Sequence, residues 1–205
     1  MKYNIEQCGI IILAAGESKR LGNPKQLLSF GGNTLLARVA KTACASDLYP
    51  VIAVLGANAE KIKSTLNIHG IHIVTNEDWQ EGMASSIRKG LSTMMDLFPQ
   101  VDGVIMLVCD QPYLEHGLIK TLIEAQRDAG LPAAAAFYGG KPGTPALFHK
   151  ALFPDLMSLS GDTGARRILA DKKNDMVKID FKMGVVDIDT QEDYERLLNN
   201  DKNAE

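Results

Sequence analysis

The chain has 205 residues, 45% of them hydrophobic and 23% charged, which is ordinary for a globular protein and enough for one substantial core. A formal net charge of −3 speaks against a general nucleic-acid binder, whose domain would be basic. Cys8, Cys44 and Cys109 are an odd number without CxxC spacing, so a disulfide framework and a zinc site are not expected, and a reducing, cytoplasmic setting is. The N-terminal stretch has neither a basic n-region nor a cleavage-like site, and its apolar run is too short for a bilayer, so no membrane partner is expected.

Short apolar runs alternate with helical patterns along the chain. Gly9 to Leu13 (GIIIL) reads as a buried strand that ends in Ala-Ala-Gly. Thr34 to Ala45 reads as a helix capped by Thr34, Pro50 to Leu55 as a strand, and Asn58 to Leu66 as a helix with Asn58 at its cap. Ile71 to Val74 is a short strand, Met83 to Leu97 a helix, and Gly103 to Cys109 a buried strand ending at Asp110. Glu115 to Ala129 is a helix stopped by Gly130, and Ala133 to Phe137 and Thr144 to Phe148 read as strands. Thr163 to Ala170 reads as a helix, Val185 to Ile188 as the last strand and Gln191 to Leu198 as the last helix.

This alternation predicts an α/β fold, a three-layer Rossmann-like, mostly parallel sheet with helices on both faces. No linker signature divides residues 1–198, which read as one domain, and Asn199 to Glu205 reads as a polar tail. Ligands in such sheets bind at the carboxyl ends of the strands, which directs attention to the loops after Leu13, Val74 and Cys109.

The first loop reads LAAGESKRLGNPK, Leu13 to Lys25. Small residues at Ala14, Ala15 and Gly16 let backbone N–H groups approach phosphate, and Ser18 adds a hydroxyl. Lys19, Arg20 and Lys25 bring positive charge, and Pro24 stiffens the approach to Lys25. Leu21 stands where a Walker A loop needs its second Gly, and Ser18 where a dinucleotide fingerprint needs one, so neither common phosphate motif is present. Position after the first buried strand favours polyphosphate binding over an incidental charged turn.

A carboxylate at the tip of a buried strand, Asp110, suits a divalent cation held among phosphates; an Asp before a Pro-containing turn is equally an ordinary turn residue. Asp187 and Asp189, two residues apart on an expected strand end, would share a face, and either is a candidate second carboxylate. In NEDWQEGMASSIRKG, the Asn76 amide suits base or ribose recognition, Gly82 precedes a helix start, and Ser85 and Ser86 offer hydroxyls. Trp79 reads first as a packing residue and second as a stacking one. In SGDTGARR, Gly161 and Gly164 bracket Asp162 before a helix, with Arg166 and Arg167 close by, which suits an anion or an ordinary capped helix. The four histidines show no ligand spacing.

LAAGxSxRxGxPKxLL resembles the signature of the NTP-transferase family, and the DQP triplet at Asp110, N..W..GM.SS and GDxGAR resemble its molybdenum cofactor cytidylyltransferase branch. The resemblance runs from Gly9 to Leu198. It implies a Mg²⁺-dependent transfer of CMP from CTP, or another NTP, to the terminal phosphate of molybdopterin, with pyrophosphate released. It implies a nucleotide seat at Leu13 to Gly16, Ser18, Asn76, Gly82, Ser85 and Ser86, and pyrophosphate stabilisation by Arg20 and Lys25. It also implies Asp110 as the Mg²⁺ ligand, with Asp189 ahead of Asp187 beside it, an acceptor side at Gly143 to Pro145, Gly161, Asp162 and Gly164, and a molybdoenzyme client. Two rivals follow: a same-fold transferase using GTP or another phosphate acceptor, and a non-catalytic cofactor chaperone. A GTP user would more typically carry Gly where Ala15 stands.

Overall fold

The computed structural model describes residues 2–66, 68–172 and 175–202. β1 (Cys8–Ala14) is buried along its whole length, as a strand covered on both faces must be. It pairs in parallel with β4 (Val51–Leu55) on one side and β6 (Gly103–Val108) on the other. β5 (Ile71–Thr75) extends the parallel run beyond β4. Beyond β6 comes β8 (Lys141–His149), antiparallel to both β6 and β7 (Ala133–Tyr138). β9 (Met176–Asp180) closes that edge, parallel to β7, so the strand order is β5-β4-β1-β6-β8-β7-β9. A small antiparallel hairpin, β2 (Ser29–Phe30) and β3 (Asn33–Thr34), stands apart from this sheet.

Period-two alternation sends neighbouring residues to opposite faces. Ile11, Ile52 and Met106 pack with α3 (Met83–Leu97), α5 (Phe153–Met157) and α6 (Arg166–Asp171). Ile10, Ile12 and Leu107 pack with α1 (Leu35–Cys44), α2 (Ala59–Lys63) and α4 (His116–Ala129). A third cluster, Leu21, Phe30, Leu35, Ile188 and Leu197, ties the loop after β1 to the hairpin and to α7 (Gln191–Lys202).

The mostly parallel sheet is as expected, and most elements fall where the pattern puts them. Thr34 caps α1 by accepting from the Ala37 amide, and α4 ends at Gly130 in the left-handed region. Four expectations are corrected. Val185 to Ile188 is no strand: a 3-10 turn spans Lys182–Val185, and the segment beyond crosses the strand ends, held there by Ile188 N donating to Asp110 O. The edge strand is β9, in which apolar residues alternate with Lys178 and Asp180. α6 begins at Arg166, because SGDTG turns through a left-handed Gly161. α2 stops at Lys63, and Asn58 precedes it in a left-handed conformation without a side-chain cap bond. α7 carries Asn199 to Lys202 within the helix, whereas residues 203–205 of the expected tail lie outside the described residues.

Candidate active site

The loop after β1 is anchored from behind. Leu13, Ala14 and Ala15 are buried, whereas Gly16 is exposed and a Cβ added there would meet nothing. A Cβ on Gly56 would collide with Ala15 and with Trp79 Cβ, so this glycine lets the loops after β1, β4 and β5 close on one another. Ser18 adopts φ 60°, and its Oγ accepts from the Lys25 amide at 3.0 Å. That bond folds the chain back and aims Lys25 at the end of β6.

There Lys25 Nζ donates to Asp110 Oδ2 at 2.6 Å and to Asp189 Oδ1 at 2.9 Å. Arg20 approaches Asp189 from outside, with its guanidinium 2.8 Å from Oδ2. The buried Ile188 pins the acidic segment beside Asp110, leaving Asp187 and Asp189 on either side. Burial alone would depress the Lys25 ammonium, but the adjacent Asp110 outweighs it, with further help from Asp189, and Lys25 titrates above the usual lysine range. Burial would raise Asp189, yet Lys25 and Arg20 hold its carboxyl below the ordinary range. Among the described residues Asp187 has no such ion pair: partial burial, then the charges of Asp110 and Asp189, push it up. The Cys109 thiol, buried next to Asp110, is pushed up to about 12 and is inert as a nucleophile at neutral pH.

Two cavities open on this cluster. The first, about 490 Å³, is walled by Leu13 to Lys19, Lys25, Trp79, Gly82, Ser86 and Asp110. The second, about 450 Å³, is walled by Met83, Tyr138, Gly143, Thr144, Gly164, Arg166, Asp187 and Asp189. Asp162, Lys25 and Asp110 border both.

The expected site residues therefore gather, with distinctions. Asn76 does not reach the cavity: it is buried, and its amide nitrogen donates to Ser85 Oγ at 2.8 Å and Ser86 Oγ at 3.0 Å. Its side-chain oxygen accepts from the Asp78 amide, so its polar groups shape the start of α3. Ser85 is also turned inward, donating to Gly82 O. Gly82 lies against Gly161 and Asp162 so closely that a Cβ would collide with both, and Gly161 O accepts from Ala84 N. Gly161 thus joins the two sides instead of lining either. Arg167 lines a separate cleft with Asp155 and Asp171, away from the cluster. Trp79 both packs on Gly56 and lines the first cavity.

Two contributors were missed. Gln26 is fully buried and donates to Ala14 O and Gly16 O; a polar residue between Lys25 and an apolar pair was the available signal. Tyr138 accepts from Gln111 Nε2 at 3.1 Å, and nothing in the short strand pattern marks it. Among the described residues, no three carboxylate, imidazole or thiol groups are gathered as a ready metal site. In kind, the acidic oxygens of Asp110, Asp187 and Asp189 suit a hard cation.

A doubly covered sheet with a cation-bearing loop after its first strand, facing carboxylates at the end of a neighbouring strand, defines the nucleotidyltransferase class. The MobA-like NTP transferase domain matches residues 10–177, and the chain belongs to that family. The nicotine blue oxidoreductase of Paenarthrobacter nicotinovorans is 33% identical, over 92% of this chain and 95% of its own length. The molybdenum cofactor cytidylyltransferase of Escherichia coli K12 is 25% identical, over 90% and 92%. The crystal structure of Rv0371c from Mycobacterium tuberculosis superposes with a TM-score of 0.83 at 28% identity, covering 94% of this chain and 97% of that one. A manganese complex of Rv0371c superposes with a TM-score of 0.78 at 25% identity, covering 94% and 98%.

Proposed function

We propose that this protein is a cytoplasmic cytidylyltransferase that moves CMP from CTP onto the terminal phosphate of a molybdopterin-type acceptor, for delivery to a molybdoenzyme client. The observation that carries the reading is the meeting of Lys25 with Asp110 and Asp189, at 2.6 and 2.9 Å, where two adjoining cavities share a wall. The first cavity takes the nucleotide against the loop after β1, and the second takes the acceptor. An acceptor phosphate oxygen attacks the α-phosphorus. A new P–O bond forms, the bond to the bridging oxygen breaks, and its electron pair leaves with pyrophosphate. Lys25 and Arg20 neutralise the charge that collects on the leaving group. Holding both substrates across one wall supplies the in-line geometry.

Asp110 and Asp189, with Asp187 beside them, are the residues that would hold Mg²⁺, which when bound supplies neutralising charge to phosphate oxygens. The manganese complex of Rv0371c supports a divalent cation. The cytidylyltransferase relative and Ala15 support CTP over GTP.

A second reading, reduction of a nicotine blue-like compound, is favoured by the 33% identical oxidoreductase. The test is pyrophosphate release with each of four NTPs, with and without purified molybdenum cofactor, in Mg²⁺ and in Mn²⁺, run beside nicotine blue reduction by NADH or NADPH. CTP- and acceptor-dependent release is expected. GTP preference or a different acceptor would reassign the substrates, nucleotide binding without release would make the protein a carrier, and dye reduction without release would replace the transferase reading.

A further inference from the structure

We infer that Gln26 is a positioning residue that presets the phosphate loop by holding its carbonyls at the buried wall of the first cavity; this rests on that cavity being the nucleotide seat. Gln26 is 0% exposed and follows Lys25 directly on the 3-10 turn Lys25–Leu27. Its Nε2 donates to Ala14 O at 2.8 Å and to Gly16 O at 2.9 Å. The carbonyl between them, Ala15 O, accepts from Ala57 N at 3.0 Å. Three successive carbonyls are therefore tied to donors from the protein side. In a planar trans peptide the next N–H points opposite to the carbonyl. Tying back the carbonyls of residues 14 to 16 turns the amides of residues 15 to 17 away from those donors. Among the hydrogen bonds of the described residues, the Gly16 and Glu17 amides donate to none, and both residues line the first cavity.

The unpaired end of the same side chain points the same way. Gln26 Oε1 is buried and, among the described residues, has no hydrogen-bond partner. Turning the amide over would aim that oxygen at two carbonyls, so the donor end fixes the orientation. A buried acceptor without a partner is costly, and an apolar residue would avoid it. The residue at 26 is thus better suited to holding the loop than to filling space. Because Lys25 is the neighbouring residue and its amide bonds Ser18 Oγ, one turn sets both the ammonium and the cradle. The loop then needs little ordering when a polyphosphate arrives.

The test compares the full chain with Q26M, which keeps the volume and loses both donors, and with Q26E, which keeps the shape and loses the paired donor. Inorganic pyrophosphate and CTP are titrated calorimetrically, and amide hydrogen exchange is followed over residues 14–18. The expected result is at least a tenfold weaker Kd for both ligands and faster exchange at Ala15, with exchange in β6 and α4 unchanged. Binding within twofold of wild type, or unchanged loop exchange, overturns the inference. If wild type binds neither ligand, the nucleotide reading fails, while the exchange comparison still decides whether Gln26 orders the loop. If both variants fail to fold, a wild-type crystal structure with CTP decides: loss of either Gln26 bond on binding overturns the clamp, and retention of both upholds it.

Discussion

The two cavities are close in volume and differ in the walls they do not share. The first is walled by backbone and small side chains, Ala14, Ala15 and Gly16, with cations at its rim. The second is walled by Met106, Ala146, Leu169 and Tyr138, with Arg166, Asp187 and Asp189 as the charges it does not share with the first. Backbone N–H groups read phosphate, a feature common to all nucleotides, while side chains of varied shape read one particular body. The charge needed for chemistry belongs to neither alone, because Lys25 and Asp110 stand on the shared wall. On the proposed function, a fixed reaction and a variable acceptor are thereby kept on separate residues.

The sharpest way to break that division is on the shared wall. D110N should lower kcat by about 10³-fold, the upper range for losing one preorganised electrostatic group, with the KM of each substrate moved far less; pyrophosphate release measures both. A variant that raised one KM and spared kcat would assign Asp110 to one cavity. R166A tests the acceptor side alone. Its acceptor KM should rise about tenfold, or ~1.4 kcal/mol, with the KM for CTP unchanged. Equal loss for both substrates would dissolve the distinction.

The smallest effect is on stability. Asp189 sits below the usual range, so its contribution is complete above about pH 4, the ordinary Asp value, and is lost as pH falls through its lower native value. Asp187, pushed up by burial and then by Asp110 and Asp189, has the opposite sign, and its contribution is lost as pH rises. K25M removes the cation shared by Asp110 and Asp189 and leaves carboxylates facing one another. The melting temperature of wild type should fall by a few degrees on acidification below pH 4, whereas that of K25M should rise between pH 6 and pH 4. Parallel calorimetric profiles for the two proteins would show that Lys25 does not hold the carboxylates.

The same division governs what could be read from sequence. β1, β4 and β6 are continuous apolar runs covered on both faces, and such runs announce buried parallel strands directly. The loop after β1 and Asp110 follow from the strand-end rule. β9 lies at an edge with alternate residues exposed, and its charges resemble those of a loop. Val185 to Ile188 has the composition of a strand, but the place beside β7 is taken by β9, so the segment crosses the strand ends. Even so, Ile188 turns inward and sets Asp189 against Lys25. Asn76 is engaged inside the protein because an amide suited to a base is equally suited to two serine hydroxyls. Local composition carries chemistry, while the choice of partner is settled by distant segments.

One strand runs against its neighbours, and that reversal decides which part of the chain borders the second cavity, the acceptor side of the proposed reaction. β8 enters the sheet from the end where β6 leaves it, so the residues around Gly143 and Thr144 come from the beginning of a strand and not from its exit. They hang from a tight bend at Gly139 and Gly140, both left-handed and solvent-facing. Such a bend can be lengthened, shortened or exchanged without altering any strand exit that carries Asp110 or the cation loop. The fold thus offers a replaceable lip on one vessel while the other keeps its rim, a layout in which, on the proposed function, new acceptors would arise by editing a hairpin.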